Sequence, residues 1–201
     1  MPRKTGKLKV NKTFLLVVEG FTEQIYFSDV KTTRRIPGIT INPKIAKHSD
    51  LSTILRTAIR EYNTNAYDSV WCVFDRDTIT EQGMSDDLKK QYNTALDLGI
   101  QFADSMPAFE VWFLLHFAMP SPFYISQDGV IKDLRKYISD YSKEQAWLSS
   151  AKLYSKLEPY FDAAEKRAIE LDKKKSDSGD ETTTFSHVYK LFKELKEKSG
   201  T

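Results

Sequence analysis

The residues best suited to chemistry in this 201-residue chain are acids placed where apolar runs stop. Glu19 follows the run of residues 14–18, Asp75 and Asp77 follow that of 69–74, and Asp104 with Ser105 follow 100–103; Glu110 comes shortly afterwards. Asp-x-Asp on an extended segment sends both carboxylates the same way, because strand side chains alternate with a period of two. Arg76 then points oppositely, toward an acid or a phosphate. Like charges gathered on one rim repel, and burying them costs several kcal/mol unless something positive joins them. A hard divalent cation is the usual partner, and Mg²⁺ takes carboxylate and water oxygens. The competing reading is turn chemistry, since Asp is common where strands end.

Such a cluster requires elements that deliver the acids to one edge. Residues 14–18 read as a buried strand closed by Glu19-Gly20. A helix over 22–33 follows, with Phe21, Ile25 and Val30 inward, and then a short strand through Ile39 and Ile41. Ser49 caps a helix whose inner face is Leu51, Ile54, Leu55, Ala58, Ile59 and Tyr62. Residues 69–74 have the continuous apolar character of a strand buried on both faces. Ser85 caps the next helix, with Leu88, Tyr92, Ala95 and Leu96 inward; residues 100–103 form a strand and 108–117 a buried helix. This alternation predicts an α/β fold, a mostly parallel sheet of about four strands flanked by helices. In such sheets ligands bind beyond the carboxyl ends of the strands, where these acids fall.

After Pro120-Ser-Pro122 the pattern reads as helices only. Val130, Ile131, Leu134, Tyr137 and Ile138 make one apolar face, and 144–157 and 159–174 make two further helices, with Pro159 in a first turn. Residues 173–181 read as a polar loop, and Val188, Leu191, Phe192 and Leu195 mark a last helix. The expected organisation is a basic arm (1–12), an α/β domain (13–118) and an all-helical C-terminal appendage (119–201).

Composition narrows the class. With 40% hydrophobic residues and a formal charge of +2, the chain is neither disordered nor a polycation. Its single cysteine, Cys72, excludes an internal disulfide and a cysteine-rich zinc site, and a reducing, cytoplasmic setting is expected. No stretch is long and apolar enough for a membrane span. The charge is unevenly distributed: 12 basic and 4 acidic groups over residues 1–60, against 3 and 10 over 61–110. Arg3, Lys4, Lys7, Lys9 and Lys12 form a basic arm that reads either as a solubilising terminus or as a tether for phosphate backbones. His116, in an otherwise apolar helix, reads first as a core histidine satisfied by a backbone carbonyl. His48 and His187 have no partner spacing, and Glu23 sits one turn beyond Glu19.

Val18-Glu19-Gly20 after the first strand, followed by Asp75-Arg76-Asp77 after the third, resembles the Toprim domain. More narrowly, residues 17–27 (VVEGFTEQIYF), 71–77 (WCVFDRD) and 105–117 (SMPAFEVWFLLHF) are similar to the RloB-like family, and 182–191 (TTTFSHVYKL) to its C-terminal segment. The chain departs from the family's frequent SNPCFE at 105–110 and from an Asn-Pro-Ser-Thr-like stretch at 182–185, leaving the acids untouched. The resemblance implies a Toprim-like fold and Mg²⁺-dependent (or Mn²⁺-dependent) phosphodiester chemistry. Glu19 is then an acid/base or metal-contacting group, and Asp75 and Asp77 hold the ion. Glu110 reads either as completing a second cation site or positioning the attacking water, or as a helix N-terminal acid favoured by the dipole, and the resemblance keeps His116 in the catalytic set. It further implies a nuclease acting on RNA or DNA in anti-phage defence, with a partner protein from the same system. Two alternatives stand beside it. One is a Toprim scaffold binding nucleic acid or a partner without catalysis. The other is a HAD-like phosphatase with Asp75 as nucleophile, disfavoured because its motif normally follows a first strand, not a third.

Overall fold

The computed structural model describes residues 11–76, 79, 83–180 and 182–199. Asp77, Arg3, Lys4, Lys7 and Lys9 lie outside the described residues. Four parallel strands, β1 (Lys12–Val18), β2 (Ile39–Ile45), β3 (Ser69–Val73) and β4 (Gln101–Phe102), form a sheet in the order β2-β1-β3-β4. The chain runs outward from β1 to β2 through α1 (Phe21–Arg34), then returns through α2 (Leu51–Thr64) to β3 on the other side. The crevice between the ends of β1 and β3 is therefore the topological switch point. The fold class read from the alternation is the one observed: an α/β sheet flanked by helices with a C-terminal helical part.

The period of two splits the strand residues between two cores. Phe14, Leu16, Val18, Trp71 and Val73 enter the larger one, with α1, α4 (Glu110–Leu115) and the C-terminal helices. Leu15, Val17, Val70, Cys72 and Phe74 enter the smaller one, under α2 and α3 (Asp86–Asp97). The C-terminal helices are α5 (Gln127–Leu134), α6 (Gln145–Ala151), α7 (Leu153–Leu157), α8 (Phe161–Ser178) and α9 (Val188–Ser199). They cover one face of the sheet and share its core.

Local differences from the sequence reading have identifiable causes. Asp50, rather than Ser49, caps α2, its carboxylate accepting the Thr53 N–H at 2.8 Å. Phe21, Tyr62, Leu96 and Tyr137 are exposed, and Tyr26 and Phe27 fill the inner side of α1 instead. The segment expected as one helix over 144–157 breaks at Lys152, whose φ is 48°, and the Asp29 carboxylate catches the Tyr154 N–H at the start of α7. Pro159 sits in a single 3-10 turn, Glu158–Tyr160, ahead of α8. That helix runs through the expected loop to Ser178 and stops at Gly179, which adopts φ 67° as C-terminal glycines do. The C-terminal part is not wholly helical: β6 (Phe185–Ser186) pairs antiparallel with β5 (Ser105–Met106), each too short to show a period.

The last helix is fastened at both ends. At its start, the His187 ring faces Asp104 Oδ1 at 2.7 Å and Asp172 Oδ1 at 2.8 Å, and the His187 N–H donates to the Asp104 carbonyl. Further along, Glu194 Oε2 accepts from Trp71 Nε1 (2.6 Å), Ser69 Oγ (2.9 Å) and Gln101 Nε2 (3.0 Å). Burial alone would raise the Asp172 carboxyl, but donors on Tyr189, Lys190 and His187 outweigh it and hold it well below the ordinary carboxylate range. A depressed folded-state value contributes stability above the unfolded-chain pKa near 4, lost as pH falls through the folded value. Asp172→Asn is therefore expected to cost about 1–3 kcal/mol in urea unfolding at pH 7. The gap from wild type should close as pH drops below about 4; a gap independent of pH would show that charge at Asp172 is immaterial.

Candidate active site

Each acid is positioned by a different element. Beyond the last residue of β1, the Glu19 N–H donates to the Val73 carbonyl (3.1 Å), so the ladder carries one residue past the strand. The Glu19 carboxylate then turns across the crevice and accepts the Asp75 N–H at 2.9 Å. Glu23, in the first turn of α1, is buried and accepts the Gly20 N–H at 2.9 Å. Asp75 leaves β3 in a parallel bridge with Ser105, and its Oδ1 accepts the Phe109 N–H at 2.7 Å. That bond sets the position of the next residue, Glu110, the first of α4.

Glu110 is fully buried and enclosed by the helical part of the chain. Its Oε1 accepts the Tyr141 hydroxyl (2.8 Å) and lies 3.4 Å from Lys143 Nζ, while Oε2 accepts Gln127 Nε2 (3.0 Å). Burial, reinforced by Glu110 and Glu19, pushes the Glu23 carboxyl up to about 7. Asp75 is also raised well above its ordinary value, first by burial and then by Glu23, Glu110 and Glu19. Lys143 opposes both shifts. Glu19, Glu23, Asp75 and Glu110 therefore form one mutually repelling group.

No three His, Cys, Asp or Glu side chains among the described residues stand as a ready metal cage. The donor set nevertheless fits a hard cation in kind. It is all oxygen, two of its carboxyls are held toward neutrality first by burial and then by their acidic neighbours, and added positive charge favours the ionised form of both. Such a set can bind a divalent ion, exchange a proton near neutral pH and orient an electrophile carrying negative charge.

The structure sorts the expected residues. Glu19 and Asp75 are in direct contact, and Glu110 is placed among the groups whose charge acts on Asp75. His116 is elsewhere: its Nδ1 lies 2.8 Å from the Trp112 carbonyl oxygen, the ring packs edge-on against Trp112, and burial lowers it to about 4. Among the described residues, no hydrogen bond or ion pair joins His116 to the acids. Lys12 is the first residue of β1, not part of a free arm, and donates through Nζ to the Lys198 carbonyl. Seven residues of strand put it about 20 Å from the acid end of β1. Arg76 pairs through Nε with Asp104 at 3.4 Å, beside a cleft of about 440 Å³ lined also by Tyr92, Phe102, His187 and Lys190.

Sequence reading left out Tyr141, Lys143 and Gln127, which come from irregular segments and a helix start with no motif to mark them. Glu23 was legible as one turn beyond Glu19. The Asp104–His187–Asp172 contact had no local signal, because its members are far apart along the chain.

Comparison with curated proteins and with solved structures finds no match. The model of the RloB-like protein family matches residues 14–195. This match takes in both the strands that carry Glu19 and Asp75 and the helices that enclose Glu110, and the chain belongs to the RloB-like protein family.

Proposed function

We propose that this protein is a Mg²⁺-dependent nuclease of the Toprim type, hydrolysing phosphodiester bonds in RNA or DNA and acting in anti-phage defence. The observation that carries the reading is the Glu19–Asp75 contact across the switch point, with Glu23 and Glu110 crowded against the same pair. Family membership supports it. The resemblance adds Asp77 to the ion-binding set and supplies the defence setting.

Asp75 and Glu19 would hold the ion, with Glu23 behind them. A bound Mg²⁺ or Mn²⁺ supplies positive charge to the non-bridging and leaving oxygens of the phosphodiester. The remaining work belongs to the chain. Glu23, half-protonated near neutrality, can accept a proton from the attacking water at physiological pH. Glu19 and Asp75 are kept in register by their own backbone bonds, so the oxygens that face the substrate do not have to be ordered during the reaction. Arg76, adjacent to Asp75, turns its guanidinium to Asp104 and would serve a neighbouring phosphate only by sharing or leaving that pair.

Glu19→Gln and Asp75→Asn keep shape and hydrogen-bond acceptors while removing charge. Each is expected to lower cleavage of a mixed RNA and DNA substrate with Mg²⁺ or Mn²⁺ by at least about 100-fold, with unchanged circular dichroism. Equal behaviour of wild type and both variants would replace the nuclease with a binding scaffold, and an aspartyl-phosphate trapped on Asp75 would replace it with a phosphatase.

The raised Glu23 carboxyl also gives ion binding a pH dependence. Below about 7 the folded protein holds a proton there that a bound cation must displace. Mn²⁺ affinity is expected to rise between pH 6 and pH 8, with protons released on binding. Calorimetry in two buffers of different ionisation enthalpy measures that release, and pH-independent affinity without it would remove Glu23 from the site.

A further inference from the structure

We propose that Lys143 is a built-in counter-ion that fills the place of a second divalent cation, so that the site takes one ion rather than two. This rests on the metal-dependent reading above and adds to it the number of ions and the residue that sets it.

Glu110 is the acid that a second ion would need. Its Oε1 already faces two groups, the Tyr141 hydroxyl at 2.8 Å and the Lys143 ammonium at 3.4 Å, and Oε2 accepts the Gln127 amide at 3.0 Å. A carboxylate so enclosed has little lone-pair capacity left for an ion. Glu110 is fully buried, so water cannot make up that loss when a donor leaves. Its carboxylate is the seat of an ammonium, not an open ligand.

Lys143 also acts beyond Glu110. Its field pulls down the carboxyls of Glu23 and Asp75, while Glu110, Asp75 and Glu23 together hold the ammonium charged despite its burial. One positive group therefore already balances part of the charge of Glu110, Glu23 and Asp75. A divalent ion at Asp75 and Glu19 meets the remaining negative charge. A second one near Glu110 would be pressed against the ammonium, a like charge at close range.

The residue comes from an unexpected place. Lys143 lies in the irregular stretch between α5 and α6, and its side chain is 42% exposed. It reaches Glu110 from outside the sheet and shares Oε1 with the Tyr141 hydroxyl. The helical part of the chain thus contributes charge to the site as well as cover.

The test is the stoichiometry of Mn²⁺ bound per chain, followed by electron paramagnetic resonance and calorimetry without substrate. Wild type and Lys143→Arg should bind one ion. Lys143→Met and Lys143→Gln, the latter keeping a donor for Glu110, should bind two. Two ions on wild type overturn the proposal even if neither neutral variant folds. One ion on both wild type and a folded neutral variant also overturns it and leaves the metal-dependent reading standing. Failure of wild type to bind any ion overturns both.

Discussion

Four carboxylates pressed together at the carboxyl rim of a parallel sheet are the constraint around which this molecule is arranged. Glu19, Glu23, Asp75 and Glu110 come from different elements, and burial followed by mutual repulsion drives Glu23 and Asp75 toward their neutral forms. What holds them is a set of bonds placed to resist that repulsion. Backbone N–H groups of Asp75, Gly20 and Phe109 each take one acid, and Tyr141, Gln127 and Lys143 take the fourth. The conflict is thus stored rather than removed, as expected where a site must favour a charge that is supplied later.

The sheet makes that storage feasible. Because β1 lies between β2 and β3 and the chain, after running out to β2, crosses back through α2 to β3, the carboxyl ends of β1 and β3 stand side by side where the strand order reverses. The two cores then fix the strands from both sides, Phe14, Leu16 and Val18 against the helical part, Leu15 and Val17 against α2. A slip of one residue in β1 would exchange the two sets and carry Glu19 off the rim.

Much of this was legible in the sequence, for reasons that also explain what was not. The strands and the acids at their ends announce themselves locally, by continuous apolar runs that stop at a charge. The face of α1 was misjudged at Phe21, because periodicity alone does not decide which edge of an apolar stripe is covered. The strand pair β5–β6 spans two residues on each side, too few for any period. Lys143 and His187 had no signal because their partners are distant: Lys143 answers to an acid on α4, and His187 joins Asp104 to Asp172. A single sequence reveals charges readily but reveals which charges meet only where local structure carries them together.

The two fastenings of α9 have a consequence for synthesis. Domains assemble as the chain emerges, amino end first. When β1, β3 and α4 have left the ribosome, all four acids exist, but Lys143 is still to come, and His187 and Glu194, which lock the last helix onto Asp104 and Trp71, come later still. A nascent chain therefore carries the acids without their internal counter-charge or the clasp that closes the sheet.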